Sequence, residues 1–348
     1  MTSLQRKRIL VTGACGTIGS HLLDRILDLD PEVVRAFDNN EEGLFRLEKQ
    51  LNDDRVRYLL GNIRDQERLR LAVEDIDVVF HAAALKHVEL NEYNPFETVQ
   101  TNVQGTQKLI QSAIDEEVGS FVGISTDKAS NPTSVMGATK LLSERLVIAA
   151  NTYKGNRETD FSCVRFGNVL GSSGSVVPVF RDQIRNGGPV TVTDPEMTRF
   201  IMPIEEAIAS VLTAHDRMSS GEVFVLKMPS LRIGTLAEAM VNHYAPKAGY
   251  RPENIDTEII GVRPGERIHE KLISADESSQ ARELENMFVI LPQIEFEGYD
   301  TANYSGAPSV DGEYTSDNGK LLSKDEIVEI LELNSTASSQ HPTDLSVV

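Results

Sequence analysis

The sequence predicts an α/β fold: a doubly wound parallel sheet with a smaller α/β lobe interleaved with its end. Three observations lead there. Short apolar runs alternate with stretches of helical spacing through the first half of the chain. A glycine-spaced turn follows the first run and opens the first helix. After Phe166 the alternation loosens into loops, short strands and isolated helices. Strand–helix alternation at this spacing calls for a parallel sheet covered on both faces.

Taken in order, residues 8–11 form the first strand, and helical spacing runs over 19–29 on Leu22, Leu23, Ile26 and Leu27. Strands follow at 33–37, 56–60, 78–81 and 121–125, with helices at 43–51, 66–73, 95–115 and 137–151. In the second half, 171–175 and 186–189 are loops, 190–192 and 223–226 are strands, and 204–217 and 236–243 are helices. The expected division is 1–168 for a dinucleotide-binding domain, with part of 190–225 returning to it, and 169–333 mostly for a substrate lobe. Residues 334–348 are Ser/Thr-rich and polar, which predicts a disordered tail.

Composition narrows the function. A formal charge of -19 and a pI near 4.8 argue against nonspecific binding to nucleic acid or to an acidic membrane. No apolar run reaches the ~18 residues of a membrane helix. Arg6-Lys7-Arg8 leads straight into a strand rather than into a signal-peptide core. Cys15 and Cys163 are too few for a disulfide framework and show no metal-ligand spacing. The expectation is a cytoplasmic protein with no resident metal.

The turn Thr12-Gly13-Ala14-Cys15-Gly16-Thr17-Ile18-Gly19 carries the first chemistry. Glycines at 13, 16 and 19 allow a tight turn and let a pyrophosphate approach a helix N-terminus, where Thr17 and Ile18 present free N–H groups. In a strand–turn–helix context this is the fingerprint of a Rossmann dinucleotide site, although a glycine triplet alone is weak. Asp38 ends the second strand and suits both hydroxyls of an adenosine ribose, favouring NAD; Arg46 keeps NADP open. Asn62 and Ile63 follow the third strand, where an adenine edge lies, and Ala82, Ala83 and Ala84 let backbone pass beneath the cofactor. Lys86 is placed to meet cofactor or a substrate phosphate or hydroxyl, beside a solvated His87. Asn102 serves the strand-end loop or the cofactor, two readings that stay open.

Ser125-Thr126-Asp127-Lys128 ends the fifth strand, and side chains at such ends face the ligand crevice. Lys140, on the next helix, is placed to hold nicotinamide ribose hydroxyls. A surface ion pair is the plain alternative for Asp127 and Lys128.

These residues carry a resemblance. The strings from His81 to Val88, from Ser125 to Ala129, from Met136 to Lys140, from Arg165 to Gly171, from Thr193 to Phe200 and from Arg263 to Glu266 resemble an extended short-chain dehydrogenase/reductase. Within that superfamily they are similar to the UDP-N-acetylglucosamine 4,6-dehydratases of the polysaccharide-biosynthesis group. The likeness extends over about 8–275, with a further fit at 318–333. The superfamily's usual acid/base pair is a tyrosine four residues before a lysine. Here Lys140 is kept and Met136 stands at the tyrosine position.

The resemblance implies a reaction without net oxidation: hydride leaves C4 of the sugar for NAD, water is lost across C5 and C6, and hydride returns to C6. It implies Asp127 as the acid for water loss, Lys128 as the base at C5 and Thr126 as a hydrogen-bond partner of the C4 hydroxyl. Lys140 positions the ribose, and Met136 packs against sugar or nicotinamide. Asn168, Arg199, Arg263 and Glu266 would hold the UDP part, Arg offering two-pronged donors and Glu an acceptor for ribose hydroxyls. The resemblance further implies a homo-oligomer, and membrane-anchored relatives whose transmembrane region this chain lacks. Two rivals stay open: a nucleotide-sugar 4-epimerase, and a non-catalytic nicotinamide-binding sensor.

Overall fold

The computed structural model describes residues 3–172, 175–263, 265–294, 296, 299 and 301–338. The chain divides into two compact units, one of residues 1–166, 208–227 and 273–313, the other of 167–207, 228–272 and 314–348.

The first unit is built on a nine-stranded sheet. Its strands β1 (Arg8–Thr12), β2 (Val33–Asp38), β3 (Val56–Leu60), β4 (Val78–His81), β5 (Ser120–Thr126) and β6 (Asp160–Phe166) run parallel in the order β3-β2-β1-β4-β5-β6. Val223–Leu226 continues the parallel run beside β6, and Met287–Ile290 and Ala281–Glu283 close that edge as an antiparallel pair. This is the doubly wound Rossmann order, whose switch point lies between β1 and β4. Ile9, Leu10 and Val11 are fully buried because helices cover both faces, so β1 reads as a continuous apolar run.

Helix α1 (Thr17–Leu27) buries Leu22, Leu23 and Ile26 on one stripe. Helix α2 (Glu41–Leu51) starts where Asn40 accepts from Gly43 N at 2.9 Å, and α3 (Gln66–Val73) where Asp65 accepts from Arg68 N at 3.1 Å. After β4 come α4 (Val88–Tyr93), α5 (Pro95–Thr98), a π-helical stretch over Val99–Gly105 and α6 (Thr106–Asp115). Helix α7 (Val135–Tyr153) is capped by Ser134, which accepts from Gly137 N at 3.1 Å.

In the second unit, Asn168–Val169 pairs parallel with Thr198–Met202, which takes Ser230–Arg232 antiparallel on its other side; Val190–Val192 pairs parallel with Thr257–Ile259. Its core joins Phe180, Ile184, Leu236, Met240, Ile327 and Leu331.

The structure differs from the sequence reading at three places. The sequence pattern does not mark strand β6, because the buried Ser162 and Arg165 interrupt its apolar run and their partners lie far along the chain. Residues 273–313 belong with the sheet, although the local pattern placed 169–333 mostly in the other lobe. The segment expected to be disordered from 334 begins inside a helix, Lys324–Ser338, anchored by Ile327 and Leu331; the remainder of that expectation, 339–348, lies outside the described residues.

Candidate active site

The glycine turn closes against the strand next door. Gly13 has φ +70, and a Cβ there would sit 2.7 Å from Ala83 N and 2.8 Å from Ala82 C. At Gly19 a Cβ would lie 2.1 Å from Gly13 O, so the third glycine lets the helix pack on the turn. Gly16 is the exposed N-cap of α1, with no side-chain cap and no acid in the first turn. The first-turn N–H groups of Thr17 and Ile18 therefore form a ready anion site.

Asp38 spans the turn and the second strand: one carboxylate oxygen accepts from Cys15 N at 2.9 Å, the other from Asn40 N at 3.0 Å. Asn40, not Asp38, caps α2. Arg46 is turned to Glu42 at 2.9 Å on the exposed face of that helix. Burial and the Asp38 charge push the Cys15 thiol up to about 12, so it stays neutral beside the turn. Glycines where the turn meets the neighbouring strand and the helix, an uncapped helix start and a carboxylate at the end of β2 fit the pyrophosphate and adenosine ribose of NAD.

Ala82 N donates to Thr12 O at 3.1 Å, which holds the Ala82–Ala84 segment under the turn. His81 is fully enclosed between Thr12 Oγ1 (2.7 Å) and Thr106 Oγ1 (2.8 Å). Burial, reinforced by Lys140, pushes its imidazole down to about 3. Asn62 accepts from Arg64 N at 3.0 Å, and Ile63 is buried against Gly105. Asn102 resolves toward the strand-end loop: its side chain accepts from Leu85 N at 2.8 Å, donates to Leu85 O at 3.0 Å and reaches Thr139 at 3.1 Å. Lys86 and His87 are exposed; desolvation lowers both pKa values, and the Lys86 charge lowers that of His87 further.

At the end of β5 the chain turns through Asp127–Ala129 in a single 3-10 turn. Asp127 is 3% exposed and Lys128 half-buried, with Lys128 Nζ 3.1 Å from both carboxylate oxygens. Thr126 Oγ1 donates to Asp127 Oδ1 at 2.9 Å. This pair is no solvated surface bridge, since its acid is buried. Lys140 donates to Ile124 O at 2.6 Å. Burial lowers its pKa, opposed by Cys163 and Glu144. Met136 is 3% exposed in the first turn of α7, a tightly packed thioether.

The second unit gathers two of its four expected residues. Asn168 donates to both oxygens of Glu270, at 2.9 and 2.8 Å, and Arg199 lies 3.5 Å from the same carboxylate. Arg199 also donates to Thr198 O at 2.8 Å. Glu270 was not singled out in the sequence; nothing in its local pattern separates it from other acids. Arg263 is exposed, and Glu266 keeps one buried carboxylate oxygen with no hydrogen-bond partner. Among the described residues no helix is long and apolar enough to cross a membrane.

A family model described as "Polysaccharide biosynthesis protein" matches residues 9–292. The chain is 52% identical over 332 residues to an uncharacterized membrane protein of Methanocaldococcus jannaschii, covering 94% of this chain and 95% of the relative. It is 40% identical over 336 residues to a UDP-N-acetylglucosamine 4,6-dehydratase (inverting) of Campylobacter jejuni, covering 94% and 97%. The X-ray structure of Pen from Bacillus thuringiensis aligns with a TM-score of 0.87 at 42% identity, over 94% of this chain and 98% of that one. On the sheet order, the glycine turn and matches that span nearly the whole chain, the protein belongs to the polysaccharide biosynthesis protein family.

Proposed function

We propose that the chain is an NAD-dependent nucleotide-sugar 4,6-dehydratase. It converts UDP-N-acetylglucosamine to a UDP-4-keto-6-deoxy-N-acetylhexosamine, with inversion at C5, in the cytoplasm and for surface polysaccharide or glycan synthesis. One observation carries the reading: a buried carboxyl and an ammonium in direct contact at the carboxyl end of β5. The relative named as a dehydratase supports the reaction and the substrate.

When bound, NAD supplies the oxidant at C4 and returns the hydride at C6, so no outside oxidant is consumed. Thr126 orients the C4 hydroxyl. Once the Lys128 ammonium has passed its proton to Asp127, the free amine takes the proton at C5, made acidic by the neighbouring ketone. The C4 hydroxyl proton leaves to solvent past Thr126, and a solvent proton returns to C5 as the hydride arrives at C6. Asp127 protonates the C6 hydroxyl as water leaves. Because Asp127 and Lys128 touch, a proton taken by one can pass to the other before release. Met136 offers no proton and shields the site from water. In the other unit, Arg263 serves the diphosphate and the unpartnered oxygen of Glu266 accepts from a ribose hydroxyl. Asn168 and Arg199, both in contact with Glu270, hold the UDP part with them.

Incubation with UDP-N-acetylglucosamine, followed by NMR of the product, tests the proposal. Loss of the C6 hydroxymethyl signals and a new C6 methyl support it, and the C5 coupling reports the stereochemistry. An epimerised product with C6 intact would sink it in favour of a 4-epimerase; cofactor binding with no turnover would indicate a sensor. Asp127→Asn and Lys128→Ala should each cut turnover by about a hundred-fold or more, the scale of a lost general acid or base, while NAD stays bound. Met136→Ala should matter less than either.

Helices α4, α5 and α7 are neighbours, and they leave Leu90, Tyr93, Phe96 and Leu142 exposed, Tyr93 at 89% and Phe96 at 82%. We assign this apolar face to a second copy of the chain. Light scattering should give a dimer or a larger assembly, and a monomer at micromolar concentration would refute it.

A further inference from the structure

A buried ion network brackets the proton-handling segment at both ends. In front of it, Ser125 Oγ donates to Glu144 Oε2 at 2.6 Å. Glu144 holds the Arg165 guanidinium through Nε at 3.1 Å and Nη2 at 2.7 Å. The same guanidinium reaches Glu277 through Nη1 at 3.0 Å and Nη2 at 2.8 Å. Behind the segment, Ser130 Oγ donates to Glu277 Oε2 at 3.5 Å. Ser125, Glu144, Arg165, Glu277 and Ser130 are each at most 6% exposed. Glu277 is itself pinned by a capping box with Ser274.

We propose that the Glu144–Arg165–Glu277 triad is a positioning clamp for dehydration, holding Thr126, Asp127 and Lys128 at the rim of β5. The proposal rests on the acid and base roles given above to Asp127 and Lys128. Three arguments carry it. A buried ion triad is a poor source of stability, because desolvation offsets most of the attraction, and an apolar trio of similar volume would serve the fold as well. What a two-pronged guanidinium adds is fixed geometry, here between β5, α7, β6 and the 273–313 segment. The bonds also end where position matters, one residue before Thr126 and two after Lys128. Proton transfer is sensitive to such placement, since a displacement of about 1 Å can cost about a hundred-fold in rate. Glu144 sits one turn after Lys140 on the same helix, so the clamp also ties that lysine's helix to the strand end.

The test uses full-length Ser125→Ala and Glu277→Gln, each with kcat and KM for UDP-N-acetylglucosamine, NAD affinity and thermal unfolding. The clamp predicts a fall in kcat of about ten-fold or more, with KM within about two-fold and NAD affinity unchanged. A merely structural role lowers the unfolding temperature and leaves kcat per folded molecule intact, and that result in both variants overturns the proposal. If Glu277→Gln fails to fold, Ser125→Ala decides alone, because it removes one hydroxyl without unpairing an ion. Asp127→Asn and Lys128→Ala run alongside. Normal turnover in those two overturns the acid and base roles and the clamp with them; their loss beside normal kcat in Ser125→Ala and Glu277→Gln overturns the clamp alone.

Discussion

Substituting alanine for Gly13 tests whether the glycine turn is held by a close backbone approach or only by backbone freedom. Gly13 has φ +70, and its added Cβ would meet Ala83 N, Ala82 C and Ala83 Cα at 2.7–2.8 Å, all of them backbone atoms that cannot swing aside. Gly155 is the matched control: φ +65, with nothing within 4 Å of its added Cβ. Left-handed backbone costs an alanine about 1–2 kcal/mol at either site. The gain from a stiffer unfolded chain is common to both and cancels. Gly13→Ala adds overpacking of about 1–3 kcal/mol, so the two variants should differ by that amount. The strand end carrying Ala82 to Ala84 must then shift away from the turn. Urea unfolding measures the stability difference, and calorimetric titration measures NAD affinity. Gly13→Ala should unfold at lower urea than Gly155→Ala and bind NAD at least about ten-fold more weakly, a loss of about 1.4 kcal/mol. Equal midpoints with unchanged NAD affinity in both would refute the argument.

Two further predictions concern the buried ions. Arg165→Met leaves Glu144 and Glu277 buried without their cation and should destabilise the protein by about 3–5 kcal/mol; replacing all three by apolar residues of similar volume should restore most of that stability, which urea unfolding of both variants checks. Burial raises the Glu277 pKa, but the hydrogen bonds and charge of Arg165, with the Ser274 bonds, outweigh it and hold the carboxyl down to about 2, against an ordinary 4.5. A depressed pKa stabilises the fold above 4.5, and that contribution is lost as pH falls from 4.5 through about 2. Unfolding free energy followed over that window should fall less steeply in Glu277→Gln than in the parent, and parallel slopes would contradict the assignment.

Much of the first unit is legible in the sequence because its signals are local. The strand at 8–11, the turn at 13–19 and the carboxylate at 38 lie within one strand–helix–strand stretch, where hydrophobic period and glycine spacing decide the geometry over short range. Asp127 and Lys128 are neighbours in the chain, so their contact needed only a strand end. Asn102 shows the limit: its sequence left two partners open, and only packing assigned it to Leu85. Strand β6 is illegible for the same reason, since Ser162 and Arg165 resemble surface residues in sequence and their partners Glu222, Glu144 and Glu277 lie elsewhere along the chain.

By itself the sequence determined the sheet's parallel character, the dinucleotide turn, the acidic charge and the pair at the end of β5, all properties of adjacent or periodically spaced residues. Tertiary structure alone decided that 273–313 belongs to the sheet, that Glu270 gathers Asn168 and Arg199, and that Arg165 bridges two carboxylates 133 residues apart. The reason is physical. A buried charge is stable only beside a partner, and the partner's place along the chain leaves no trace in the local pattern of either residue.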